Sequence, residues 1–191
     1  MDINNYNKTF SKYPPLVKTD RWVYGVWMIG NDYRNKSKYY GSYPPSYLKR
    51  IKSLFPDVKN MLHLFSGMVE SGHWENETTF DINLDLKPKV VGNSSLLPFK
   101  DNSFELILAD PPYTQTDADK YNCKMPNRKN TLHECYRVLK PRGYVVWLDT
   151  ILPMYRKSEF SLVGTIGLIR STNHRVRMVF IWRKNNGNVL I

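Results

Sequence analysis

Short apolar runs, spaced by polar and turn-forming stretches, dominate the chain beyond residue 60 and set its predicted architecture. Met61–Phe65 is a strand ending at Ser66-Gly67, Thr78–Ile82 is a second and Lys89–Val91 a third. Phe104–Ala109 is apolar almost throughout and stops at Asp110, the pattern of a central strand covered on both faces. Thr131–Leu139 has helical spacing, Lys140-Pro141-Arg142-Gly143 closes it, and Tyr144–Leu148 is the next strand. Leu162–Ile169 and Val176–Trp182, joined by the turn-like Ser171-Thr172-Asn173, read as a hairpin. Upstream, Tyr47, Leu48, Ile51, Leu54 and Phe55 fall at helical spacing within Ser46–Phe55. Residues 1–40 are polar, aromatic and poorly periodic, so they read as an extended arm with a short strand at Trp22–Ile29. Strands alternating with helices predict an α/β fold with a mostly parallel sheet, helices on both faces and an antiparallel edge pair.

Length and composition narrow the class. At 191 residues and 22.5 kDa the chain can bury one sizeable core, and a hydrophobic content of 41% excludes a disordered class. No apolar run reaches the ~18 residues needed to span a bilayer. The N-terminus lacks the basic stretch and apolar run of a secretory signal. The two cysteines, Cys123 and Cys135, have no metal-ligand spacing, so a reduced, cytoplasmic protein without a structural metal is expected. Charge changes the picture more. The net charge is +11, and residues 1–60 hold eleven Lys/Arg against four Asp/Glu, interleaved with tyrosines and two tryptophans. Arg170, Arg175, Arg177, Arg183 and Lys184 add a second basic stretch. Such a balance favours a polyanionic partner, and aromatic rings among cations suit nucleic acid, where bases stack.

Ligands of open α/β sheets bind beyond the carboxyl ends of the strands. Two unusual stretches sit there: Phe65-Ser66-Gly67 and Asp110-Pro111-Pro112-Tyr113. An exocyclic amine on a base is a poor nucleophile because its lone pair is delocalised into the ring. An acceptor on each N–H draws that nitrogen toward tetrahedral geometry and frees the lone pair. Asp110 offers a carboxylate for one N–H, and the Pro111 carbonyl, fixed by two successive prolines, offers an acceptor for the other. Tyr113 gives a flat face for an extruded base, and Asp110 can relay the proton lost.

Asp110-Pro111-Pro112-Tyr113 resembles the catalytic motif of the class I amino-methyltransferases that act on adenine N6 or cytosine N4. Other stretches follow in the same order. Tyr43-Pro44-Pro45 resembles the motif that touches the methionine end of S-adenosylmethionine, and Phe65-Ser66-Gly67 resembles the Phe-x-Gly cofactor turn. Phe80-Asp81-Ile82-Asn83 is similar to the strand-end acid that binds the ribose, with Asp85 as a rival acid. Gly92-Asn93-Ser94 with Leu97-Pro98-Phe99 is similar to the stretch beside the cofactor adenine. The likeness spans about residues 39–182, leaving 1–38 as a basic aromatic arm before a domain at 39–191. It implies a Rossmann-like methyltransferase fold with a seven-stranded, mostly parallel sheet, and S-adenosylmethionine as cofactor. Departures are visible. Val69 stands where the family has a second glycine, Gly72 is displaced beyond it, and Asn93 stands where an acid is commoner.

The resemblance implies methylation of an exocyclic base amine, adenine N6 in DNA first, because Asp rather than Ser heads the tetrapeptide. RNA adenine N6 or guanine N2 is the alternative, and a catalytically silent cofactor- or nucleic-acid-binding subunit is a third. No target-recognition segment separates the motifs. Base choice is therefore expected from the arm, from a protein partner or second copy, or from a loop at Thr114–Asn130. In that loop Lys120, Tyr121, Lys124, Arg128 and Lys129, together with Arg175 and Arg177 from the hairpin, are candidate nucleic-acid contacts.

Overall fold

The computed structural model describes residues 1–30, 43–44, 46–69, 72–170 and 173–186, with side chains at 173–175 left aside. Nine strands among these residues form one sheet: β1 (Val17–Lys18), β2 (Val23–Ile29), β3 (Asn60–Leu64), β4 (Asn76–Asp81), β5 (Val90–Val91), β6 (Phe104–Ala109), β7 (Leu139–Asp149), β8 (Phe160–Arg170) and β9 (Asn173–Lys184). Their order is β1-β2-β8-β9-β7-β6-β3-β4-β5. The run β7-β6-β3-β4-β5 is parallel throughout, and β9 lies antiparallel between β7 and β8. The expected mostly parallel sheet with a C-terminal hairpin is present, widened from seven strands to nine because the N-terminal segment adds to its edge.

That addition corrects the expected extended arm. Helix α1 (Ile3–Thr9) is capped by the Asp2 side chain on the Asn5 amide, and β2 pairs in parallel with β8 over Val23–Ile29. Alternation along β2 buries Val23, Trp27 and Ile29. Of the arm's rings, Tyr6 and Trp27 are buried and Phe10 is half-buried, while Tyr13 stays exposed. Tyr6 stacks with Phe10 and Trp27, and the buried Arg50 guanidinium lies 4.7 Å from the Phe10 ring centre and 4.6 Å from that of Tyr13. Residues 31–42 of the arm fall outside the described residues, as do Pro45 and the turn residues Ser171 and Thr172.

Period-two alternation in β6 sends Leu106 and Leu108 to one core and Ile107 and Ala109 to the other. On the first face α1 and α2 (Tyr47–Leu54) contribute Ile3, Tyr6, Tyr47, Ile51 and Leu54. On the second face α4 (Arg128–Val138) contributes Leu132, Cys135 and Val138. Helix α3 (Gln115–Lys120) interrupts what the sequence reads as a loop, and α4 begins three residues early, capped by Asn127. No helix among the described residues is long and apolar enough to cross a membrane.

Several connections carry no α-helix among the described residues. Between β3 and β4 the Glu77 carboxylate, almost fully buried, accepts from the amides of Gly72, His73 and Trp74 and does a helix's work of satisfying that backbone. Residues 150–159, which link β7 to β8, likewise form no helix. His63 in β3 is a core histidine; burial holds its pKa down to about 4, so it is neutral at pH 7.

The turn at Lys140–Gly143 is drawn into β7, whose pairing with β6 slips between Phe104 and Leu106. A Cβ on Gly143 would lie 2.5 Å from Leu139 Cδ2 and 2.9 Å from the Lys140 carbonyl oxygen. Gly143→Ala is expected to cost about 1–3 kcal/mol of stability by chemical denaturation, with the site at the opposite sheet end unaffected.

Candidate active site

The carboxyl ends of β3, β4 and β6 stand side by side, and each carries one predicted stretch. At β3 the chain turns through Phe65 and Gly67, both at positive φ (59° and 54°). The Gly67 amide donates to Asp81 Oδ2 at 2.9 Å, and the Asn83 amide to Oδ1 at 3.0 Å. Asp81 thus clamps the glycine turn to the end of β4, keeping its remaining lone pairs for other donors. Ser66 Oγ is buried without a partner among the described residues. Phe65, partly buried, sets its ring edge-on against Trp147 at the second core. Ile82 is exposed beside Asp81, and Asn93 is exposed with its Oδ1 taken by the Ser95 amide. Ser94 is a correction. It is buried, and its hydroxyl is taken up by Thr131 Oγ1 of α4 at 3.0 Å.

Tyr43 and Pro44 enter α2 on the other side of the crevice. The Tyr43 ring stacks on Tyr47 (5.2 Å between centres, 16° between planes) and tilts onto His63. Burial raises the Tyr43 hydroxyl well above its ordinary pKa, with Tyr47, Asp110 and Asp81 acting in the same direction. Tyr43 therefore feels both acids of the crevice.

At the end of β6, Pro111 and Pro112 are buried and fix the backbone. Tyr113 donates its hydroxyl proton to Asp110 Oδ1 at 2.5 Å, and Arg177 Nη1 donates to the Tyr113 oxygen at 3.3 Å. Burial pushes the Asp110 carboxyl up to about pKa 6. The Tyr113 hydrogen bond and the Arg177 charge oppose that rise, and Asp149 adds to it.

Arg128 is the second correction. It does not project toward a phosphate backbone. From the first turn of α4 its Nε donates to Asp149 Oδ2 at 2.8 Å, and its Nη2 donates to the carbonyls of Pro112 (3.4 Å) and Tyr113 (3.1 Å). Asp149, fully buried at the tip of β7, also accepts from Trp147 Nε1 and from the Thr150 amide. Arg177 is the third, being buried against Tyr113. Lys120, Lys124 and Lys129 are exposed around α3 and the start of α4, Tyr121 is half-buried, and the Arg175 side chain lies outside the described residues. Asp149 and Tyr47 belong to the site without having been predicted. The sequence holds one signal for Asp149: an acid directly after an apolar strand, the same placement that singles out Asp110.

Residues 75–147 match a family model described as a methyltransferase domain. A curated C-methyltransferase of ubiquinone and menaquinone biosynthesis, UbiE of Rickettsia prowazekii, is 32% identical over 103 residues, half of this chain and 38% of that one. The chain thus spans well under two thirds of that relative's length. Among solved structures, TrmN of Thermus thermophilus superposes with a TM-score of 0.53 at 17% identity, over 76% of this chain and 50% of that one. The 1,6-didemethyltoxoflavin-N1-methyltransferase of Burkholderia thailandensis, solved with its substrate and S-adenosylhomocysteine, gives 0.51 at 11% identity, over 73% and 76%. Residues 75–147 thus resemble a methyltransferase domain, and the superpositions show the chain to have the Rossmann-like methyltransferase fold, on which the Burkholderia enzyme carries S-adenosylhomocysteine.

Proposed function

We propose that this domain methylates an exocyclic amine of a nucleic-acid base, N6 of adenine in DNA. One observation carries the reading: a half-enclosed carboxylate and a proline-fixed backbone stand together at the tip of a middle strand, beside the glycine turn. Arg128 occupies the carbonyls of Pro112 and Tyr113, whereas no hydrogen bond among the described residues reaches that of Pro111. Tyr113 occupies Asp110 Oδ1 and leaves Oδ2. One acceptor of each kind is therefore available for the two N–H bonds of an amine.

The residues present fit the cofactor. Gly67 at positive φ lets backbone approach a ligand closely, Ser66 Oγ is a buried polar atom lacking a partner, and Asp81 retains acceptor capacity for ribose hydroxyls. When bound, the cofactor supplies an electrophilic methyl on a sulfonium. The chain's part is to grip the amine at Asp110 Oδ2 and the Pro111 carbonyl, which localises the nitrogen lone pair, and to stack the base on Tyr113. Asp110, ionised above about pH 6, then takes the proton that the amine loses. Flipping the base out of a duplex costs a few kcal/mol, less from single strands.

Mass spectrometry of nucleosides after incubation with S-adenosylmethionine and mixed DNA tests the reading. N6-methyladenine is the expected product; N4-methylcytosine alone would refute the choice of base. Methylation confined to RNA, or to free nucleosides, would refute the choice of polymer. Lys124 and Lys129, exposed near the site, are proposed phosphate contacts. Replacing both with Ala is expected to lower the log–log salt slope of DNA binding by about 2, without changing cofactor affinity by calorimetry.

A further inference from the structure

The Tyr113 hydroxyl has a single proton and two neighbours, and the structure gives them opposite characters. Asp110 Oδ1 lies 2.5 Å away, and Arg177 Nη1 lies 3.3 Å away on the other side. A guanidinium only donates. The Tyr113 oxygen must accept from Arg177, so its own proton can go only to Asp110. The chain Arg177→Tyr113→Asp110 has one permitted direction.

We propose that Arg177 is a positioning residue that fixes this direction, so that Asp110 always has Oδ1 occupied and presents Oδ2 to the amine. The inference rests on the base-amine reading above and adds to it the residue that orients the acid. Several features support it. Arg177 shares its strand parity with Val179 and Ile181 and is turned into the first core at 7% exposure, an unusual place for a cation. Its Nε has no partner among the described residues, and its guanidinium centre lies 5.8 Å from the Tyr113 ring centre. The Tyr47 hydroxyl, fully buried and equally without a partner, is under the influence of both Asp110 and Arg177. A cation kept this dry, bonded to a phenol rather than a carboxylate, is poorly explained by stability alone. The groups that bear on Asp110 are Tyr113 from its own loop, Arg177 from β9, Asp149 from β7, Tyr47 from α2 and Tyr43 just before it. Arg177 is the cation of that set.

Without Arg177 the phenol proton is free to turn away, and Asp110 loses both its donor and a nearby positive charge. Asp110 should then hold its own proton to higher pH. Carboxyl 13C resonances of labelled aspartate report this in the full chain without substrate, the Asp110 signal being the one missing from Asp110→Asn. Arg177→Met is expected to move the Asp110 midpoint upward by about one pH unit, and Arg177→Lys to restore most of the shift. Tyr113→Phe breaks the chain at its middle link and is expected to move the midpoint upward as well. The double variant Arg177→Met/Tyr113→Phe should move it by clearly less than the sum of the two single shifts, the direct effect of the Arg177 charge being all that remains to add. An unmoved midpoint in Arg177→Met, or shifts that simply add in the double variant, would overturn the proposal. Should Arg177→Met fail to fold, an unmoved midpoint in Tyr113→Phe overturns it instead. Failure of the base-amine reading appears separately, as the absence of any methylated base when the parent chain is incubated with S-adenosylmethionine and nucleic acid.

Discussion

Asp110→Ala should lower single-turnover methyl transfer by about 10²–10⁴-fold while leaving cofactor affinity within a few-fold of the parent. In the proposed function the acid grips the acceptor and takes its proton, whereas the proposed cofactor contacts lie on β3, β4 and the approach to α2. Asp110→Asn separates the two roles. It keeps a carbonyl acceptor without the charge and should lose less, about tenfold, because a charge-assisted hydrogen bond exceeds a neutral one by roughly the 1.4 kcal/mol that a decade requires. The parent's rate should fall as the pH drops through about 6, where Asp110 becomes protonated.

The same residue makes the fold pay for its chemistry. Its folded pKa of about 6 lies above the ordinary value of 3.8, so the native state binds this proton more tightly than the unfolded chain does. Stability from this group is fully present below about pH 4 and is lost as the pH rises through 6. Asp110→Asn removes that loss. Denaturant titration should find the variant more stable than the parent by roughly 3 kcal/mol at pH 8 and equal to it near pH 3. Greater stability with weaker activity is the signature of a functional buried acid. An Asp110→Asn variant that is less stable at pH 8 would mean that the carboxylate serves the fold.

Much of this was legible in the residues, and the illegible parts share a cause. The run Phe104–Ala109 could only be a doubly covered strand, and the acid and prolines after it could only fall at the sheet's carboxyl edge. Helix α3 escaped because Gln-Thr-Asp-Ala-Asp-Lys has no apolar stripe; the cap that Thr114 places on the Asp117 amide starts it instead. Helix α1 escaped because seven residues with only Ile3 and Tyr6 buried are too few to show a period. The cations were the hardest to read. Arg50, Arg128 and Arg177 look in sequence like Lys124 and Lys129, yet the first three are held by rings, a buried acid and a phenol, partners that are distant in the chain. Only Arg177 left a trace, sharing the inward parity of Val179 and Ile181.

The buried pair beneath the Asp110–Tyr113 loop should be the costliest to break. Asp149→Ala leaves the Arg128 guanidinium, 16% exposed, without its carboxylate, and strands the Trp147 and Thr150 donors as well. A loss of about 3–5 kcal/mol is expected, seen as a drop in Tm of roughly 6–20 °C for a chain of this size. Removing both charges, as in Arg128→Met/Asp149→Leu, avoids the unpaired ion and should recover part of that stability, though not the share due to Trp147 and Thr150. Methylation should not recover with it, because no donor then holds the carbonyls of Pro112 and Tyr113, and a displacement of 1 Å at the reacting centre can cost 10²-fold in rate. If the double variant regained activity in step with Tm, Arg128 would be a prop for the fold alone. If stability returns while turnover stays low, the pair holds the backbone that presents the Pro111 carbonyl to the amine.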